Sequence, residues 1–240
     1  MARIFITGDI HGSIDIHKFT KQNFPEGQDL TKDDYVIICG DFGLVWNGED
    51  KRSGNYWLKW LDEQPWTTLF VDGNHEDFDL LNRYPVEKWN GGNIHKIRPS
   101  IYHLMRGEIF NIHGYTFFAF GGAFSHDRKY RQEGISWWQD ELPTHDEVNN
   151  ALNHLVEHQN KVDIILTHDA PIDVQNLLGM NHVDMSPYDC QYENICAFLQ
   201  HIKNIVEYKA WFMGHYHVNQ SYTKHHLLYL DIIELTPSLL

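Results

Sequence analysis

Short apolar runs rich in isoleucine, valine and phenylalanine recur along the chain, and several are separated by segments with helical periodicity. Runs of this length and composition predict β-strands. The predicted strands span 3–7, 35–39, 68–71, 109–112, 116–120, 162–167 and 210–213, with a final pair near 219–223 and 227–234. Asn90-Gly91-Gly92 is predicted to form a hairpin or a loop rather than a domain boundary. The segment 101–120 is expected to contain consecutive strands with tight turns.

Two segments carry the clearest helical patterns. Thr144 and Glu147 fit a capping box at the start of the first helix, and apolar residues at helical spacing predict the second from Ile195 to Ile205. The alternation of strands and helices, followed by hairpins, predicts a mixed α/β fold with two packed sheets and outer helices. Because linkers and repeats are absent from the sequence, a single domain over residues 1–240 is expected.

Five predicted strands end in a similar way. Four apolar runs are followed by glycine and then by a residue that can bind a metal ion, and a fifth ends directly on histidine. These ends deliver Asp9, Asp41, Asn74, His215 and His168. Ligands of α/β sheets collect outside the carboxyl ends of the strands, so these side chains are expected at one rim. Two further histidines lie two residues beyond the first and last strand ends, and they are His11 and His217.

Seven donors exceed the four ligands of a single tetrahedral ion, and they suit two ions that share one carboxylate. Oxygen and imidazole donors without thiolate suit manganese, iron or zinc better than copper(I) or an iron–sulfur cluster. We expect two divalent ions, with manganese as the first choice and iron or zinc as alternatives. Each motif alone is a weak signal, because aspartate and asparagine are common in turns. Their joint occurrence at five strand ends predicts a metal centre.

Composition changes this picture in two respects. The chain contains 17 histidines in 240 residues, yet the informative feature is where a few of them sit. The pairs His225-His226 and His154/His158 are expected to lie on the surface. The 19 basic and 33 acidic residues give a net charge of −14, so the chain is a poor candidate for sheathing a nucleic-acid backbone.

The sequence also bears on the cellular compartment. Three cysteines (Cys39, Cys190 and Cys196) without paired short spacing do not form a disulfide framework. The first residues lack the pattern of a signal peptide, and no apolar run approaches the roughly 20 residues of a membrane helix. We therefore expect a cytoplasmic protein without membrane contact, and its oligomeric state is left open.

The ordered motifs are Gly8-Asp9-Ile10-His11-Gly12, Gly40-Asp41, Gly73-Asn74-His75-Glu76, His168 and Gly214-His215-Tyr216-His217. Together they resemble the motifs of the calcineurin-like metallophosphoesterases, and among these they are most similar to bacterial and phage members. The resemblance spans residues 8–217 and implies a four-layer α/β/β/α fold, a two-sheet β-sandwich flanked by helices, with a binuclear metal centre. By motif position, one ion would be held by Asp9, His11, Asp41 and His217. The other would be held by Asp41, Asn74, His168 and His215, with Asp41 bridging.

The chemistry expected of such a centre follows from its charge. Two ions about 3.5–4 Å apart clamp the oxygens of an in-line displacement and lower the pKa of bound water, so that a metal-bound hydroxide attacks phosphorus. The resemblance makes His75 a catalytic residue, whose protonated ring would stabilise developing charge or protonate the leaving oxygen. Two divalent ions outweigh the carboxylates of Asp9 and Asp41, so the site is expected to be positive.

The sequence departs from the protein-phosphatase branch of this family directly after the bridging aspartate. Leu44 stands where that branch has the aspartate that orients the catalytic histidine, and Val45 stands where it has a phosphate-binding arginine. Another group must therefore orient His75, and the candidates are Asp72, Glu76 and Asp169.

Replacement phosphate ligands are expected in the loop that follows the run ending at Phe120. Arg128 or Arg131 would bind the substrate phosphate there, because arginine grips phosphate with two hydrogen bonds. A solvated basic turn is the alternative interpretation.

The function expected from these observations is hydrolysis of phosphomonoesters, including those of a protein Ser/Thr or dual-specificity phosphatase. The partner would be a phosphoprotein or a small phosphate ester. A phosphodiesterase or nucleotide hydrolase with the same metal centre is the alternative, kept open by Leu44 and Val45. A non-enzymatic scaffold is disfavoured, since every ligand position and His75 are intact.

Overall fold

Two β-sheets and five α-helices make up the part of the chain that the computed structural model describes, residues 2–46, 51–179 and 194–240. The strands are β1 Ile4–Thr7, β2 Tyr35–Cys39, β3 Thr67–Val71, β4 Val86–Trp89, β5 Gly92–Arg98, β6 Ile101–Leu104, β7 Glu108–Ile112, β8 Tyr115–Phe120, β9 Ile164–Thr167, β10 Ala210–Met213, β11 Gln220–Tyr222, β12 His225–Leu227 and β13 Ile232–Glu234. The helices are α1 Lys51–Asp62, α2 Phe78–Leu81, α3 His145–Glu157, α4 Ile172–Leu177 and α5 Ile195–Ile205.

The strand order is β13-β1-β2-β3-β6-β5-β4 in the first sheet and β11-β12-β10-β9-β8-β7 in the second. The two sheets face each other across a buried apolar layer that includes Ile37 and Phe212. On the outer face of the first sheet, Leu58 of α1 joins a second apolar cluster. On the outer face of the second sheet, Phe120 packs on Phe198 of α5 with ring centroids 4.7 Å apart. This is the expected α/β/β/α arrangement of two sheets between helices.

Parallel pairing aligns the strands that carry the candidate ligands. In the first sheet β1, β2 and β3 pair in parallel, and in the second β9 and β10 do so. The two sets of carboxyl ends meet, because the Gly214 amide after β10 donates to the His168 carbonyl and the His215 amide donates to Asp9 after β1. The fold therefore delivers residues from both sheets to one rim.

The hairpin expected at Asn90-Gly91-Gly92 is confirmed, since Trp89 pairs with Gly92 in the β4–β5 ladder. These two strands are missing from the predicted set, because charged and polar residues interrupt their apolar pattern. The expectation that His225 and His226 lie on the surface is wrong. Both are buried and hydrogen-bonded, His225 to the Tyr208 hydroxyl and His226 to Ser221.

Cys39 and Cys196 are free thiols, whereas Cys190 lies outside the described residues. Of the helices that are described, none is both long and apolar enough to cross a membrane.

Helix α3 begins with the capping box that the sequence predicts. The Thr144 hydroxyl accepts from the Glu147 amide at 3.2 Å, and the Thr144 amide donates to the Glu147 carboxylate at 2.7 Å. We expect Thr144→Ala to lower the free energy of unfolding by about 1 kcal/mol, because it exposes unsatisfied amides at the helix start. Urea unfolding measures this change. Thr144→Ser keeps the hydroxyl and should restore most of the loss, so an equal loss in both variants would argue against the cap.

Candidate metal centre

The turns after five strands bring seven candidate ligands to one place between the sheets. Six of the seven form two groups of three, and within each group the ligand atoms lie within 4.8 Å of one another. The first ligand group consists of Asp9, His11 and His217, and the second consists of Asp41, His168 and His215. Asn74 adjoins the second ligand group, since its Oδ1 lies 3.3 Å from His168 Nε2. All seven predicted ligands are therefore brought together.

Asp41 lies between the two ligand groups. Its Oδ2 is 3.3 Å from His11 Nε2, and its Oδ1 is 3.2 Å from His168 Nε2. Each carboxylate oxygen thus faces a different group, as a bridging ligand requires. Asp9 Oδ2 lies 3.2 Å from His217 Nε2, while Asp9 Oδ1 accepts from the His215 amide at 2.9 Å and lies 3.8 Å from His168 Nδ1.

Sharp backbone turns aim these side chains back at the rim. His11, Asp41, His215 and His217 have φ of 43°, 46°, 67° and 51°, in the left-handed region that costs a non-glycine residue about 1–3 kcal/mol. Such strain clusters at functional sites because the surrounding structure must maintain it.

Glycines provide the space that the clustered ligands need. A Cβ on Gly73 would lie 2.1 Å from Asp41 Oδ1, and one on Gly214 would lie 2.2 Å from Asp9 Oδ1. Any side chain at either position would displace a carboxylate. This close approach explains why glycine precedes the candidate ligands Asn74 and His215.

Hydrogen bonds to the far ring nitrogens test whether the histidines suit a metal ion. His168 Nδ1 lies 2.8 Å from the Cys39 carbonyl, which only a ring N–H can satisfy, so Nε2 is the nitrogen left for an ion. His11 Nδ1 lies 2.8 Å from Asp15 Oδ2, the carboxylate–histidine arrangement found at metal sites. The donor set therefore fits divalent ions.

The electrostatics of the rim agree with this fit. Burial alone would raise the pKa of the Asp41 carboxyl, but His168 and His11 hold it well below its ordinary value. Burial opposes charge on the rings too, yet Asp41 and its neighbours raise the pKa of His11 to about 9 and that of His168 to about 10. The buried carboxylates of Asp9 and Asp41 are therefore stabilised by nearby positive charge. Divalent ions would supply that charge in place of the protons on the histidine rings.

Asp15 is a functional candidate that the sequence analysis missed, although its position four residues after His11 is a usable signal. We expect Asp15→Asn to weaken metal binding about 10–100-fold, because the amide no longer fixes the His11 ring as a carboxylate does. Calorimetric titration of the metal-stripped protein measures the change. Asp29→Asn, at an exposed position in the 3₁₀ turn Pro25–Asp29, is the control, and equal affinities in the two variants would contradict the role of Asp15.

His75 stands beside the two ligand groups, held by its backbone. Its amide donates to Asp41 Oδ1 at 2.8 Å, and its ring contacts the guanidinium of Arg131. Arg131 Nη2 lies 3.2 Å from His75 Nε2, and Nη1 lies 3.5 Å from Nδ1. Burial lowers the pKa of His75, and Arg131 lowers it further against the opposing effect of Asp41. Arg131 is therefore the permanent cation at this position.

The three acids proposed to orient His75 have other partners. Asp72 accepts from the Arg106 guanidinium, Glu76 accepts from the backbone amides of Phe42 and Gly43, and Asp169 accepts from the Tyr216 hydroxyl. Within the described residues, none of the three is hydrogen-bonded to the His75 ring. Glu76 instead ties the turn after Asp41 to the turn that carries His75.

Arg128 and Arg131 differ in their surroundings. Arg128 Nε donates to Glu141 at 2.6 Å, and its guanidinium lies over the rings of Phe124 and Trp137. Arg131, by contrast, reaches the rim at His75. Leu44 and Val45 are buried in the apolar cluster of the first sheet, so the rim has no polar group at those two positions.

Comparisons with known proteins identify the family of this chain and several similar proteins. The family model described as calcineurin-like phosphoesterase matches residues 2–219. The chain is similar to lariat debranching enzymes from Schizosaccharomyces pombe (28% identity over 70% of the chain), Xenopus laevis (enzyme A, 28% over 70%) and Homo sapiens (25% over 90%). These matches cover 37%, 33% and 42% of the relatives. The chain thus spans between about a third and two fifths of the length of these curated relatives.

Proposed function

Because the chain belongs to the calcineurin-like phosphoesterase family, we propose that it hydrolyses phosphodiesters at a two-metal centre. Family membership supports the activity of a metal-dependent hydrolase of phosphate esters. One ion would be held by Asp9, His11, Asp41 and His217. The other would be held by Asp41, Asn74, His168 and His215. Manganese is the proposed ion, with iron or zinc as the alternatives to be compared.

The observation that carries the diester proposal is the count of cations at His75. Among the described side chains, Arg131 is the one guanidinium in contact with this histidine. Arg128 is bound to Glu141. The apolar, buried Val45 stands where the protein-phosphatase branch has a phosphate-binding arginine. A terminal phosphomonoester brings about two negative charges at neutral pH, whereas a diester brings one. A single guanidinium beside the candidate metal ligands matches the singly charged diester.

The relatives support the same choice over a protein phosphatase. They are named lariat debranching enzymes, and a branch in a nucleic acid is joined through a phosphodiester. We therefore propose a branched nucleic acid as the substrate class. The net charge of −14 disfavours binding along a stretch of backbone, so contact would be confined to the scissile phosphate and its immediate neighbours.

The chain's own residues take distinct parts in this reaction. When bound, two divalent ions would activate water and polarise the phosphoryl oxygens. Arg131 would hold a non-bridging oxygen of the diester with two hydrogen bonds. His75, next to it, would give a proton to the leaving oxygen, and the lowered pKa of its ring would favour the release of that proton.

A parallel substrate panel tests the proposal. We expect kcat/KM for bis-nitrophenyl phosphate and for a branched oligonucleotide to exceed that for nitrophenyl phosphate and phosphopeptides by at least about tenfold, a difference of about 1.4 kcal/mol in transition-state binding. The panel is run on metal-stripped protein reloaded with manganese, iron or zinc. A tenfold preference for the monoesters would restore the phosphomonoesterase interpretation. If the protein cleaved the nitrophenyl diester but not the branched oligonucleotide, only the proposed substrate class would be rejected.

A further inference from the structure

We propose that Ser125, Glu141 and Arg128 are positioning residues that set the side-chain amide of Asn74 with its oxygen toward the second ligand group. The inference rests on the proposed function, because it concerns the ligand of an ion in that centre. It also gives Arg128 a part different from the substrate contact expected from the sequence.

The amide of Asn74 has two chemically different ends. Its nitrogen donates to Ser125 Oγ at 3.0 Å, while its oxygen lies 3.3 Å from His168 Nε2. If the amide turned over, the NH₂ group would face the second ligand group, and an NH₂ group cannot coordinate a cation as the carbonyl oxygen does. The orientation of this amide therefore decides whether Asn74 is a ligand.

The hydroxyl of Ser125 selects that orientation. Ser125 Oγ donates its single proton to Glu141 Oε2 at 2.9 Å, which leaves only lone pairs toward Asn74. An oxygen that can only accept requires the NH₂ end of the amide. Asn74, Ser125 and Glu141 are all buried, so water does not offer Asn74 a substitute partner.

The preference of Ser125 depends in turn on an ionised Glu141. Glu141 Oε1 accepts from the Ser125 amide at 2.8 Å and from Arg128 Nε at 2.6 Å. Arg128 is held over Phe124 and Trp137, with its guanidinium carbon 4.3 and 4.6 Å from the ring centroids. Burial raises the pKa of the Glu141 carboxyl, and the hydrogen bonds from Ser125 and Arg128 act against that rise. Because the Ser125 amide and Arg128 occupy Oε1, the Ser125 hydroxyl donates to Oε2 and its proton points away from Asn74.

The same pairing closes the segment that follows β8. Ser125 and Glu141 lie 16 residues apart, and Arg131 stands between them in sequence. Tying these ends together places the guanidinium of Arg131 against His75. This segment thus supplies a cation to the rim, where Leu44 and Val45 are apolar and buried and provide no polar group.

Metal titration of the whole chain tests the inference without substrate. Metal-stripped protein is titrated calorimetrically with Mn2+, and the wild-type chain is expected to bind two ions. Glu141→Gln presents an NH₂ group that can donate to Ser125, so we expect one ion to bind about 10–100-fold more weakly and the other to keep its affinity. Asp140→Asn, at the exposed neighbouring position, is expected to bind both ions as the wild type does.

A pair of variants at Ser125 separates positioning from folding. Ser125→Ala should weaken the same ion, and Ser125→Thr, which keeps a hydroxyl, should restore it. The inference fails if Glu141→Gln and Ser125→Ala bind both ions normally, if both ions weaken equally, if threonine does not rescue, or if the wild type binds fewer than two ions. If the wild type bound two ions but cleaved no diester, the proposed function would be rejected. The positioning role would still be tested by whether Glu141→Gln and Ser125→Ala weaken the binding of only one ion.

Discussion

Asp41→Asn should abolish the binding of at least one ion and lower kcat/KM for a phosphodiester by at least about 10⁴-fold. The two carboxylate oxygens of Asp41 face different ligand groups, at 3.3 Å from His11 and 3.2 Å from His168. An amide provides one weakly coordinating oxygen and removes one negative charge from between two cations. A loss of 10⁴ corresponds to about 5.4 kcal/mol of transition-state stabilisation, within the several kcal/mol that each Lewis-acid contact supplies.

Metal content and turnover are measured on the same preparation for this variant. Asp163→Asn is the matched control, because Asp163 also carries a hydrogen-bonded carboxylate beside a strand but lies before β9, at the opposite end from the rim. It should keep two ions and full turnover. If Asp41→Asn retained two ions with wild-type affinity, the bridging role would be refuted.

The strand ends were predictable because their signal is local. A buried strand followed by glycine and a ligand is visible over four residues, and the glycines are required by close approaches such as that of Gly214 to Asp9. Parallel pairing then assembles the ends without further information from the sequence. The same reasoning places Thr144 and Glu147 at the start of α3, where the contact spans three residues.

The surroundings of the ligands were not predictable in the same way. Ser125 contacts Asn74 across 51 residues, and Arg131 contacts His75 across 56. No spacing rule links such positions, since the contact depends on how the segment after β8 folds back. The predicted exposure of His225 and His226 is wrong for a related reason. Their hydrogen-bond partners, Tyr208 and Ser221, come close to them only in the folded chain.

His75→Ala should keep both ions and lower kcat by about 10²–10⁴-fold, the range typical of a lost proton donor. The backbone amide of His75 donates to Asp41 Oδ1 at 2.8 Å, and this contact survives the substitution. The ring of His75 packs edge-on against the ring of His11, with centroids 5.6 Å apart, but it is not among the candidate ligands. The ring itself lies against the guanidinium of Arg131. Removing the ring should therefore lower kcat without lowering the number of bound metal ions.

Calorimetric Mn2+ titration and steady-state kinetics on the diester are needed together for this variant. His158→Ala, at an exposed position at the end of α3, should leave both measurements at wild-type values. A leaving group that needs no proton, such as nitrophenolate, should suffer less from His75→Ala than an alkoxide leaving group does, because the ring's part is to deliver that proton. Equal losses with the two leaving groups would instead assign His75 to charge stabilisation, and unchanged turnover with both would remove it from the catalytic site.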